Sequence, residues 1–164
     1  MCNKKNSILG ISGDTGSGKS TLINILLGLL KLDKGKLLID NLDIEDSLDQ
    51  WQKSIGYVSQ NIFLLDTTLK ENIAFGIPLE KINYDELNRV IEYANLTDFV
   101  QNLSNGLDTN IGEKGSKISG GQIQRIGIAR ELYQKPSVLI LNEATTGLDK
   151  KTEIQIFKSI EKLK

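Results

Sequence analysis

Gly13-Asp14-Thr15-Gly16-Ser17-Gly18-Lys19-Ser20-Thr21 is the stretch that decides the fold of this chain. It fits the phosphate-binding P-loop pattern G-x-x-x-x-G-K-[ST] without adjustment. Its three glycines let the backbone turn where a Cβ would clash, so successive N–H groups can converge on an anion. Lys19 supplies a mobile positive charge for the outer phosphates, and Ser20 a hydroxyl oxygen suited to Mg²⁺. The flanks agree. Ser7-Ile8-Leu9-Gly10-Ile11-Ser12 is an apolar run of strand length, and Leu22, Ile23, Ile25, Leu26, Leu29 and Leu30 recur at helical spacing. Strand, loop and helix in that order bring phosphate to a helix N-terminus, where unpaired N–H groups and the macrodipole favour negative charge. The plainer alternative is a glycine-rich turn that happens to carry a lysine, and the flanking elements argue against it.

The chain is 164 residues long, which suits one domain with a real core. Its 20 basic and 21 acidic residues leave a net charge of −1, so no nucleic-acid partner and no anionic lipid surface is expected from charge. Cys2 is the single cysteine and has no internal disulfide partner; a reducing setting is the default. The most apolar run, Leu22 to Leu30, is broken by Asn24 and Gly28 and is far too short for a membrane span. Met1 to Lys5 does not lead into a signal-peptide core.

Beyond the P-loop helix, Asp33 to Lys36 reads as a turn and Leu37 to Asp40 as a short strand. Asp46 to Trp51 reads as a capped helical turn leading to a strand over Ile55 to Ser59, with Gln60 at its carboxyl end. Ligands collect at strand ends in open α/β sheets, so Gln60 is a candidate site residue; an ordinary loop residue is the alternative. The middle of the chain turns helical: Asp66 to Phe75, Tyr84 to Leu96 with Leu87, Val90, Ile91 and Ala94 on one face, and Thr97 to Leu103. This predicts a helical subdomain inserted into an α/β core.

Ile118-Ser119-Gly120-Gly121-Gln122 opens a further helix carrying Ile123, Ile126, Ala129, Arg130 and Tyr133. Serine and two glycines at a helix start make a second anion-binding N-terminus, or else Ser119 merely caps the helix and the glycines make the turn. Ser137 to Leu141 is a continuous apolar run, expected to be a strand buried on both faces, and it delivers Asn142 and Glu143 at its carboxyl end. A carboxylate there is placed to take a proton from water attacking a γ-phosphate; a surface glutamate is the alternative. The last helix begins near Asp149, with Ile154, Phe157 and Ile160 at helical spacing.

Taken in order, these motifs resemble the nucleotide-binding domain of ATP-binding cassette (ABC) transporters across nearly the whole chain. Gly13 to Thr21 resembles the Walker A loop, Gln60 the Q-loop glutamine and Ile118 to Gln122 the LSGGQ signature. Val138 to Glu143 resembles Walker B with the catalytic glutamate, and Thr146 to Asp149 the D-loop. The resemblance implies an α/β fold: a P-loop NTPase core with a mostly parallel sheet over residues 1–67 and 134–164, and a helical subdomain over about 68–133 bearing the signature. It implies ATP and Mg²⁺ as ligands, with Lys19, Gln60 and Glu143 as catalytic residues and Ser20, Gln60 and Asn142 at the metal. It also implies head-to-tail pairing with a second such domain, identical or related, whose Ser119, Gly120, Gly121 and Gln122 close on the ATP held by this Walker A. Asp108 to Gly115 resembles the x-loop of exporters, and Tyr57 to Asp66 with Glu71-Asn72-Ile73 is similar to exporter sequences. The implied activity is ATP hydrolysis driving an exporter or flippase through a transmembrane domain at the cytoplasmic face of the membrane. A soluble ABC ATPase of repair or translation, and a non-hydrolysing ATP-dependent dimerisation domain, are the other readings.

Three departures stand out. Asn142 occupies the Walker B aspartate position; its amide oxygen still accepts a hydrogen bond from a metal-bound water but supplies no charge. The chain holds no histidine, so the H-loop residue is absent, and only twelve residues precede Gly13. The expectation is a fragment of a longer, membrane-tethered protein that by itself binds ATP weakly and hydrolyses it poorly.

Overall fold

Helix α1 (Lys19–Leu26) starts inside the P-loop pattern, with Gly18 as its N-cap in the left-handed region. The computed structural model describes residues 7–111, 118–144 and 147–161, and the chain divides at Ile55 and Gly56 into two compact units. In the first unit, Leu27 is the C-cap of α1, and the carbonyls at this helix end are met by side chains of α2 (Leu48–Ser54). The Trp51 indole N–H donates to the Leu26 carbonyl at 2.7 Å, and the Gln52 amide to that of Leu27 at 3.1 Å. A helix end leaves such carbonyls without intrahelical partners, so these two bonds fix α2 across the end of α1. Leu27, Ile44 and Trp51 are buried. Gly28 closes the turn at φ 69, and a Cβ there would sit 2.3 Å from Cδ1 of Leu48. Between the helices, β1 (Leu38–Ile39) and β2 (Leu42–Asp43) form an antiparallel hairpin in the register Leu38 to Asp43 and Ile39 to Leu42. Its two-residue turn, Asp40-Asn41, has positive φ at both positions, as a type I′ turn requires.

The expected strand over Ser7 to Ser12 is a correction. The segment is irregular, with Ile8, Leu9 and Ile11 at 51, 45 and 41% exposure. An apolar strand of this kind holds its shape only between sheet neighbours, and the sheet of its own unit is the short hairpin, which does not include it.

Strand β3 (Ile55–Val58), which begins at the division and runs into the second unit, lies beside β4 (Val138–Leu141) in a two-stranded sheet, and the Asn142 N–H extends the pairing to the Val58 carbonyl at 2.9 Å. Strand β4 is half-buried, with Val138 37% exposed, rather than buried on both faces as expected. Among the described residues β3 is its one sheet neighbour, so only part of its surface is covered.

The helices form where the periodicity places them and end sooner. Helix α3 (Leu69–Ile73) opens with a reciprocal capping box between Thr68 and Glu71. Asn83 caps α4 (Tyr84–Tyr93), which buries Leu87, Val90 and Ile91, and α5 (Thr97–Gln101) follows. Helix α6 (Gly120–Tyr133) packs against α3 and α4, and α7 (Lys150–Glu161) packs against α4 through the buried Ile156. One core joins Val58, Leu69, Ile73, Leu87, Leu96, Ile126, Ile128 and Ile156. Each fully buried aliphatic side chain contributes about 1.5–3 kcal/mol. No helix among the described residues is long and apolar enough to cross a membrane.

Trp51→Phe keeps an aromatic ring but removes the N–H that meets the Leu26 carbonyl. Stability of the full chain is expected to fall by about 1–3 kcal/mol, seen as a lower urea midpoint by far-UV circular dichroism. An unchanged midpoint would show that water replaces the indole at no cost.

Candidate functional site

The candidate residues divide between the two units. Residues Gly13 to Thr21 lie in the first, exposed apart from the half-buried Lys19. The Ser17 N–H donates to the Asp14 carbonyl at 3.1 Å, which folds Gly13 close over Ser17; a Cβ at position 13 would meet Ser17 Oγ at 2.7 Å. Gly16 and Gly18 have φ of 83 and 91, and a Cβ at either would point into open space. Lys19 lies back across the loop, its ammonium donating to the Gly13 and Asp14 carbonyls at 2.6 and 2.8 Å. These are neutral partners, which a phosphate would displace. The N-terminus of α1 has no side-chain cap and no acidic residue in its first turn, and the glycines leave the space above it open. An anionic phosphate suits that helix N-terminus electrostatically, and the backbone at Gly16 and Gly18 is open to it.

In the second unit, Gln60 and Glu143 lie at the carboxyl ends of the paired strands β3 and β4. The Gln60 amide donates to Glu143 Oε2 at 2.8 Å, and both residues are exposed. Glu143 has φ 53, a left-handed conformation that costs a residue with a Cβ about 1–2 kcal/mol. Strain at the residue that turns a carboxylate outward from a strand end is a recurrent mark of functional sites. Asn142, half-buried, donates its amide to the Tyr57 hydroxyl at 3.1 Å. That leaves its amide oxygen as a neutral acceptor, suited to a metal-bound water rather than to direct charge neutralisation. Among the described residues no group of three or more acidic, histidine or cysteine side chains is arranged to hold a metal.

Ser119 to Gln122 open α6 as a full capping box: Ser119 Oγ accepts from the Gln122 N–H at 3.2 Å, and Gln122 Oε1 accepts from the Ser119 N–H at 2.8 Å. The capping alternative read from the sequence is therefore present. The cap uses an oxygen lone pair of Ser119 and leaves its hydroxyl proton as a donor. A Cβ at Gly120 would meet nothing, whereas one at Gly121 would lie 3.3 Å from the Gly147 carbonyl. The Gly147 N–H in turn donates to Gln124 Oε1 at 3.1 Å, tying the start of α6 to the loop before α7. Gly112 to Gly115 of the x-loop resemblance, Thr146 of the D-loop and Cys2 lie outside the described residues.

Sequence reasoning missed the partners that hold these groups. Tyr57 had a partial signal, because the alternation of a strand puts it on the face opposite Gly56 and Val58, the two residues that are buried. Gln124 and Glu131 had no local signal, since their partners are 23 and 74 residues away.

Comparison with known proteins identifies the family. The ABC transporter family model matches residues 1–146. An ATP-dependent lipid A-core flippase of Ralstonia nicotianae is 41% identical over 162 residues, covering 98% of this chain and 27% of the relative. ABC transporter B family member 29 of Arabidopsis thaliana is 38% identical over 161 residues, covering 98% and 25%. A bacterial Atm1-family ABC exporter solved with ATP bound superposes with a TM-score of 0.82 at 34% identity, covering 92% of this chain and 26% of the exporter. The chain thus spans about a quarter of the length of these relatives. Its fold is that of their nucleotide-binding domain, a P-loop ATPase fold of mixed helix and parallel sheet, and the protein belongs to the ABC transporter family.

Proposed function

We propose that this chain binds ATP at Gly13 to Thr21 and hydrolyses it with Glu143 as general base, as the motor domain of an exporter or flippase. The observation that carries the reading is the 2.8 Å hydrogen bond from Gln60 to Glu143, which orients an exposed carboxylate at the end of β4. On binding, Lys19 would exchange two carbonyls for the outer phosphates. Ser20 would hold Mg²⁺ through its hydroxyl, with Gln60 and Asn142 towards its water shell, and the ion supplies charge neutralisation for the phosphates. Glu143 would take the proton of the attacking water.

Residues 1–67 and 134–164 are proposed as the core and about 68–133 as the helical subdomain carrying the signature. Ser119, Gly120, Gly121 and Gln122 would close on the ATP of a second nucleotide-binding domain, head to tail, with the Ser119 hydroxyl proton and the first N–H groups of α6 facing its terminal phosphate. Closure favoured by ATP and reopening after hydrolysis would move a transmembrane domain at the cytoplasmic face of the membrane. Support comes from the names of the relatives, a flippase and ABC exporters, and from the ordered motif set.

Lys19→Ala is expected to weaken ATP binding by about tenfold or more, since a charge-assisted contact is lost, measured by equilibrium titration with ATP. Glu143→Gln should keep ATP binding and lower kcat by about 10²–10⁴ in a steady-state phosphate-release assay. Undiminished turnover in Glu143→Gln would overturn its role as base. Asn142→Asp should lower the Mg²⁺ concentration for half-maximal turnover by about tenfold or more, because a unit charge pair at 4 Å is worth about 4 kcal/mol at an effective dielectric of 20. An unchanged Mg²⁺ dependence would remove Asn142 from the metal site.

A further inference from the structure

Two consecutive residues of α6, Arg130 and Glu131, hold the chain on either side of Gln60. Glu131 Oε2 accepts the Tyr57 N–H at 3.1 Å, three residues before the glutamine. Arg130 Nη1 donates to the Phe63 carbonyl at 3.0 Å, three residues after it. The same guanidinium donates through Nε to the Asn72 carbonyl at 2.8 Å and through Nη2 to Asn72 Oδ1 at 3.2 Å, and it lies 5.2 Å from the centre of the Phe75 ring. Asn72 is fully buried and carries the grip further, accepting the Leu65 N–H at 2.8 Å and donating to the Leu65 and Thr68 carbonyls at 3.0 and 3.1 Å. Between the two arms, Ile62 sits directly on α6 at Gly127, where a Cβ would approach it to 2.6 Å.

Both charged groups sit in a costly place. Burial pushes the Glu131 carboxyl above its ordinary value, with the Tyr57 N–H and the Arg130 charge pulling it back. Burial likewise pulls the Arg130 guanidinium below its ordinary value, offset by Glu131. Apolar side chains would fill α6 more cheaply. What the charges add is a fixed hold on main-chain atoms that no apolar side chain could grip.

We propose that Arg130 and Glu131 are positioning residues for Gln60: as a two-armed bracket on the helix that begins with Ser119 to Gln122, they fix both ends of the Gln60 loop and so set the glutamine's approach to Glu143. The inference rests on the reading of Gln60 and Glu143 given above, and extends it to two residues that act through the main chain on either side of Gln60. The loop and the signature helix then move as one body, and displacement of the Ser119 end is felt at Gln60.

Hydrogen exchange of the full chain tests the bracket without reference to activity. Glu131→Ala should speed exchange of the Tyr57 amide about tenfold or more, and Glu131→Gln, whose amide oxygen still accepts, should restore protection. Arg130→Lys, which lacks the planar fork, should speed exchange at Leu65 while α4 stays protected. Turnover supplies the second arm. Arg130→Lys should lower kcat about tenfold with KM for ATP little changed, and should cost little further in a Gln60→Ala background. Additive losses in the two backgrounds, or protection at Tyr57 and Leu65 equal to the parent, would overturn the bracket. A parent chain that neither binds nor hydrolyses ATP would overturn the functional reading instead, and the exchange experiment would still decide the bracket.

Discussion

Helix α6 has to bury four consecutive residues, Ile126 to Ala129, while its first turn stays at the surface. Burial of a full turn means that the helix is surrounded there, so whatever lies against it must have its polar groups matched. The loop after β3 is such a neighbour, and it has main-chain groups to satisfy but no strand to pair with. Arg130 and Glu131 meet them from α6, and Asn72 from α3. The arrangement around Gln60 is thus a consequence of how a surrounded helix accommodates irregular backbone.

The parts of this architecture legible in the sequence are those with local causes. The P-loop start of α1, the Asn83 cap with the Leu87-Val90-Ile91 face of α4, and the Ser119 turn of α6 each follow from residues within one or two turns of one another. The Ser7 to Ser12 segment was misread because a strand's existence depends on neighbours that its own composition does not specify. The same limit hid the long-range holds. Arg130 was visible as a helix residue, but nothing nearby in the chain indicates that its guanidinium meets carbonyls 58 and 67 residues away. Of the candidate site, the places of Gln60, Asn142 and Glu143 at strand ends were readable, and the hydrogen bonds that their side chains make were not.

The substitution at position 142 has a structural counterpart in β3. An asparagine side chain donates and accepts at once, and here the donating half is turned to the Tyr57 hydroxyl. A carboxylate in its place would offer Tyr57 only oxygens, so the phenol would have to reverse its role and donate. Tyr57 is held from behind by Glu131 through its own N–H, so residue 142 and the Gln60 loop share one anchor. A change of charge at 142 therefore reaches the strand that leads to Gln60.

Trp51 is the only tryptophan in the chain, and its indole is bonded to the carbonyl end of the P-loop helix. A single fluorophore thus sits at the far end of the helix that the P-loop opens. Its emission wavelength responds to the field of the Leu26 carbonyl and to water reaching α1, and the four tyrosines are transparent to excitation at its red edge. The state of that helix end therefore has a built-in optical readout, with no label and no second indole to compete with it.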